Sequence, residues 1–186
     1  MAARQQHGFN FEDAVKNLLK VKDDNKKYTD QWDVGEDTSI KFIRQTGSVD
    51  MGSARRIFET LEAKKTWKMY LGRHENKICL RVYELTFTAE MAASLMGELT
   101  TEDIALYERG ISTKSFPEGQ HLAARAFSAQ WKKDHKKKTG LLTINPKIDS
   151  KNQRRVQCSL NTTSLNKLFT LASSPKFADL IGVGFG

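Results

Sequence analysis

The chain has 186 residues, 39% hydrophobic and 28% charged, enough to bury one core, so a single domain over 1–186 is expected. No run approaches the roughly 18 apolar residues of a membrane span. The N-terminal MAARQQHGFNFEDAV has no apolar stretch of signal-peptide length. A soluble, cytoplasmic protein with no membrane partner is therefore expected. The formal charge of +8 is concentrated: Lys114 to Arg155 holds eleven Lys or Arg against three Asp or Glu, and the rest of the chain sums to zero. A basic segment on an otherwise neutral protein points to a polyanion, since phosphate neutralisation with counterion release is the main sequence-independent source of nucleic-acid affinity. A solvated helix face is the plainer alternative.

From Phe9, the residues Phe11, Val15, Leu18 and Leu19 fall at helical spacing and predict a first helix of about three turns that ends at KDDNKK. YTDQWDV and TSIKFI read as two short strands around the turn-forming Gly35-Glu36-Asp37, a hairpin. Ala54, Ile57, Phe58 and Leu61 form the stripe of a second helix, capped by Asp50 or Ser53. TWKMYLGR and KICLRVYELTFT read as strands joined at His74-Glu75-Asn76, the second suited to a central position. AEMAASLMGEL and TEDIALYERG read as helices, the latter with a Thr cap and an acidic first turn.

ISTKSFPEG is a loop, and Leu122, Ala126, Phe127 and Trp131 line a long helix running into KKDHKKKTG, with Gly140 as a stop. LLTI and RRVQCSL are strands around NPKIDSKNQ, a helix follows near Ser164 to Ala172, and IGVGFG reads as a loose end. The fold class is α/β (α+β), a central mixed β-sheet flanked by helices. Cys79 and Cys158 lie in strand-like runs without CxxC spacing, and the four histidines are scattered. Buried free thiols are expected, with no zinc site, disulfide framework or small-molecule cofactor.

In a hairpin turning at Glu36, Asp33 pairs across the ladder with Ser39, and Lys41 shares their face while Ile40 and Phe42 point to the core. Phosphodiester cleavage needs a hard divalent ion held by oxygens and a cation that positions the nucleophile or steadies developing charge. Asp33 suits the first task and Lys41 the second. Glu12, bordering the apolar stripe of the first helix, is the best second carboxylate. A surface hairpin with no chemistry is the bland alternative.

The order Glu12, Asp33, Ser39-Ile40-Lys41, then a helix near GSARRIFE, resembles the PD-(D/E)XK nuclease superfamily, in particular small restriction endonucleases. The resemblance spans about residues 8–87, taken as the catalytic core. It implies a restriction-endonuclease-like fold, magnesium held by Asp33 and Glu12 with the Ile40 carbonyl as a further ligand, and Lys41 as the catalytic lysine. Two departures stand out. Asp33 follows Trp32 rather than Pro, and Ser39 replaces the tripeptide's acid, so it could ligate only through its hydroxyl or a water and Glu12 or Glu36 would supply the charge. An inactive relative would show the same departure.

The basic part, about 114–160, carries a vocabulary for base edges. Asn145, Lys147, Lys151, Asn152, Gln153, Arg154, Arg155 and Gln157 surround a loop and strand, and Arg forks suit guanine as Asn or Gln amides suit adenine. Arg155 and Gln157 would share one strand face, with Val156 and Cys158 on the other. The Lys132, Lys133, Lys136, Lys137 and Lys138 cluster would hold phosphates or serve solubility. Arg55 and Arg56 would contact phosphate or pair with Glu59. The expected function is a magnesium-dependent endonuclease cutting double-stranded DNA at a short sequence, as a homodimer because two-fold cuts favour paired sites. Its rivals are a non-catalytic nucleic-acid-binding protein and a nuclease for junctions or single strands.

Overall fold

The computed structural model describes residues 3–21, 32–111, 120–148 and 154–186. In chain order the elements are α1 (Ala3–Leu19), β1 (Thr38–Arg44), β2 (Val49–Ser53), α2 (Ala54–Glu62), β3 (Trp67–Glu75) and β4 (Ile78–Phe87). A 3₁₀ turn (Ala89–Met91) leads into α3 (Ala92–Met96), then α4 (Thr101–Ile111), α5 (Gln120–His135), β5 (Thr143–Ile148), β6 (Arg154–Leu160), α6 (Thr162–Leu168) and a second 3₁₀ segment (Pro175–Leu180). The protein is of the α/β class. Its strands, among the described residues, divide into two three-stranded sheets rather than gathering in one. The chain forms two compact units and visits them alternately: Met1–Val49, Thr66–Thr88 and Asn161–Gly186 make the first, Asp50–Lys65 and Ala89–Leu160 the second. Among the described residues no helix is long and apolar enough to cross a membrane.

In the first unit the strand order is β1-β3-β4, with β1 parallel to β3 and β3 antiparallel to β4. The central strand is β3, not the longer β4 that the composition favours. The reason is burial: Met69 through His74 are all buried, whereas β4 carries exposed Arg81, Glu84 and Thr86. Asn76 and Lys77, at φ 48° and 67°, form the two-residue turn whose twist matches the flanking strands.

One face of this sheet presents Ile40, Phe42, Tyr70 and Val82 to Phe11 and Val15 of α1. The Phe11 and Phe42 rings stack at 4.4 Å directly over Gly72, where a Cβ would lie 2.5 Å from Phe11 and 2.7 Å from Phe42. A side chain at residue 72 would therefore have to displace these rings. Three expectations are corrected here. Helix α1 begins at Ala3 rather than Phe9. The tail is not loose: Cys79 N–H donates to the Val183 carbonyl at 2.9 Å and Phe185 N–H to that of Lys77 at 2.9 Å, which places Phe185 in the aromatic core against Phe11 and Phe42. The first hairpin is reduced, among the described residues, to one bridge between Val34 and Thr38, while residues 28–31 of its first strand lie outside them.

In the second unit the order is β2-β6-β5, with β5 and β6 antiparallel. The α2 cap is Ser53, whose Oγ accepts from Arg56 N–H. Asp50 instead accepts from Gly52 N–H at 2.8 Å. Thr100 and Asp103 cap α4 reciprocally, each side chain taking the other's backbone N–H, the capping-box arrangement. Helices α4 and α5 are joined by Tyr107 stacked on Trp131 at 4.1 Å and bonded to Ser128 at 2.6 Å. Helix α5 stops at His135, before the Lys136-Lys137-Lys138 run and short of the expected Gly140. Both cysteines are free and buried. Burial pushes the Cys79 thiol up to about 11 and that of Cys158 higher still, so neither is a nucleophile at neutral pH.

Candidate active site and nucleic-acid interface

The candidate active site lies at the edge of β1 that no strand pairs among the described residues of the first unit. Residues 33–37 fold back on that edge: Asp33 N–H donates to the Thr38 carbonyl at 2.8 Å and Val34 N–H to the same oxygen at 3.1 Å. Asp33 Oδ2 then accepts from Ile40 N–H at 2.6 Å and from Lys41 Nζ at 3.3 Å. An exposed strand edge leaves main-chain donors unpaired, and the Asp33 carboxylate satisfies one of them. In an extended strand a residue's N–H and C=O face the same edge, so the Ile40 carbonyl also faces the Asp33 side. Ser39 and Lys41 share a face of β1 as expected. Ser39 is buried, whereas the Lys41 side chain keeps about a third of its surface exposed.

Glu12 is paired with Lys16 one helical turn on, at 2.7 Å. Burial holds its carboxyl above the ordinary 4.5, and the like charge of Asp33 adds to this against the pull of Lys16 and Lys41. Glu12 is therefore within electrostatic reach of both Asp33 and Lys41. Two ion pairs, Asp33–Lys41 and Glu12–Lys16, are thus within electrostatic reach of each other. Glu36, the other candidate acid, is exposed in the turn. Among the described residues no cluster of three or more His, Cys, Asp or Glu side chains is arranged to hold a metal ion.

The candidate interface lies in the second unit. Register pairs Asn145 with Gln157 and Lys147 with Arg155, so these four share one face while Ile144, Val156 and Cys158 are buried on the other. Lys147 and Arg155 are exposed. Asn145 is committed to its own sheet: Nδ2 donates to Ser159 Oγ at 2.8 Å and to the Thr143 carbonyl at 3.3 Å. Arg55 Nε donates to Glu59 at 3.0 Å, the i,i+4 pair rather than an open cation, and Arg56 is exposed on the same helix. Lys151, Asn152 and Gln153 lie outside the described residues, as does the side chain of Arg154.

Two features escaped the sequence reading. His7 and His74 meet edge to face at 5.5 Å beside Phe42, and Arg73 is buried within β3. For Arg73 the available signal was a charge directly after the uncharged run Met69-Tyr70-Leu71-Gly72. No protein-family model, curated protein or solved structure matches the chain.

Proposed function

We propose that the protein is a magnesium-dependent endonuclease hydrolysing phosphodiesters of double-stranded DNA, with a PD-(D/E)XK-type centre at the β1 edge. One observation carries the reading: Asp33 Oδ2 holds both Ile40 N–H and Lys41 Nζ at the β1 edge, with Glu12 within electrostatic reach of the pair. Magnesium binds through one or two carboxylates and keeps several waters, so this donor set fits the ion although Ser39 stands where the tripeptide's acid would be. Asp33 and Glu12 would hold it, with the Ile40 carbonyl as a further ligand. Bound there, the ion would supply Lewis acidity toward the phosphate.

Lys41 orients the attacking water and screens the charge that develops on the phosphate. Its 3.3 Å contact with Asp33 fixes the ammonium group at the edge before substrate arrives. Lys147 and Arg155 bind backbone phosphates, and Arg155 with Gln157 reads base edges. The parallel return of the chain from β1 to β3 supports a restriction-endonuclease-like core, and sequence-specific duplex cleavage favours a homodimer.

A second reading is favoured by the Asp33 carboxylate's bond to Ile40 N–H. An acid occupied in closing a strand edge is also what a non-catalytic nucleic-acid-binding protein would retain. Cleavage of a mixed-sequence plasmid with magnesium or EDTA, by wild type, Asp33→Asn and Lys41→Ala, separates the two. Discrete metal-dependent fragments that disappear in both variants support the nuclease. An intact plasmid with retained DNA binding establishes the binding protein.

A further inference from the structure

Arg73 is 3% exposed, and among the described residues no carboxylate pairs with its guanidinium. Its Nη1 donates to the Arg44 carbonyl at 3.0 Å and the Gly47 carbonyl at 2.6 Å, and Nη2 to Thr162 Oγ1 at 3.5 Å. These acceptors are neutral. They satisfy hydrogen bonds of the buried cation without balancing its charge, and an uncompensated buried charge is costly.

Arg81 stands directly across the β3–β4 ladder from Arg73, on the same face of the sheet. Like charges directly opposite one another destabilise a strand pair. Both arginines line a cavity of about 300 Å³, together with Gln45, Tyr83, Thr162, Asn166 and two leucines. Among the described residues the lining therefore holds two guanidinium groups, amide and hydroxyl donors, and no acid. All of it belongs to the first unit.

We propose that this cavity is a binding site for a phosphoryl group. Guanidinium forks match phosphate oxygens two at a time, and such charge-assisted bonds are stronger than neutral ones. A dianion between Arg73 and Arg81 relieves both the uncompensated charge of the first and its repulsion from the second. The cavity is at the lower end of the roughly 300–1,000 Å³ typical of small-molecule sites, so a phosphoryl group fills part of it and leaves room for what it is attached to. The proposal stands independently of the β1 edge: it uses none of Glu12, Asp33 or Lys41.

The test is thermal unfolding of the full chain in inorganic phosphate against chloride of equal ionic strength, with phosphate affinity measured by titration calorimetry. Wild type should show a saturable rise in melting temperature. Arg81→Gln, a change at an exposed side chain that leaves the fold intact, should weaken phosphate binding by about ten-fold or more. A variant with Lys136, Lys137 and Lys138 changed to Gln should keep the full response, as should Asp33→Asn. An Arg81→Gln response equal to wild type, or loss of the response in the triple lysine variant, would overturn the proposal. With the site occupied by phosphate, a short DNA duplex is then added to the lysine variant. Displacement of phosphate identifies the natural ligand as a backbone phosphodiester, and its retention identifies a free phosphoryl compound.

Discussion

The β1 edge of the first unit and the β5–β6 ladder of the second use cations in opposite ways. At the edge, Lys41 is partly buried and held by Asp33. In the ladder, Lys147 and Arg155 face each other across two strands and are exposed, so two like charges are concentrated where a polyanion could neutralise them. The first arrangement fixes one charge in position, as chemistry at a single bond requires. The second supplies attraction without fixing an orientation, as phosphate binding requires.

The largest effect expected from breaking this contrast is on cleavage. Asp33→Asn keeps an acceptor for Ile40 N–H but removes the negative charge, so plasmid cleavage should fall by about 10²-fold or more while urea unfolding is nearly unchanged. Asp33→Ala should lose both, with a stability cost of roughly 1–3 kcal/mol for the buried donor left unmade. If the two variants unfold alike, Asp33 is not closing the edge.

Gly72→Ala tests the packing that carries the edge. A Cβ there must displace the stacked Phe11 and Phe42 rings, so urea unfolding should show a loss of about 1–3 kcal/mol. Lys147→Gln and Arg155→Gln should each lower the slope of DNA affinity against salt by about 1. The same changes should raise stability by roughly 0.2–1 kcal/mol, because each relieves a like-charge cross-strand pair. A variant that loses affinity at one sequence only would make that residue a base reader.

The smallest effect is expected from Glu12→Gln, read as melting temperature against pH. Burial raises the Glu12 carboxyl above 4.5, so the folded state binds its proton more tightly than the unfolded chain. Its favourable contribution is complete below pH 4.5 and is lost as pH rises through the folded value. The uncharged variant should therefore melt slightly above wild type at pH 7, and the difference should vanish below pH 4.5.

Much of the architecture was legible in the chain because it rests on local chemistry. The stripe Ala54, Ile57, Phe58 and Leu61, the Ser53 cap as one of two candidates, and the division of Arg155 and Gln157 from Val156 and Cys158 all follow from periodicities of 3.6 and 2 and from short-range hydrogen bonds, whereas the β3–β4 turn falls at Asn76-Lys77 rather than at the expected His74-Glu75-Asn76. The juxtaposition of Ser39 and Lys41 on one strand face was legible for the same reason. What stood beside them was not. That Asp33 binds Ile40 N–H, that the tail packs against Phe11 and Phe42, and that Arg73 meets Arg81 across a ladder depend on contacts between distant or differently paired segments.

The sequence by itself determined the α/β class, most of the elements, the buried thiols and the concentration of positive charge, since each of these is a property of residue type and spacing. Only the tertiary structure decided that the strands form two sheets, that β3 is central, that Asn145 is engaged by Ser159, and that a buried arginine borders a cavity. Register and burial arise from the mutual fit of faces brought together by folding, and no pattern along a single strand specifies which partner it meets.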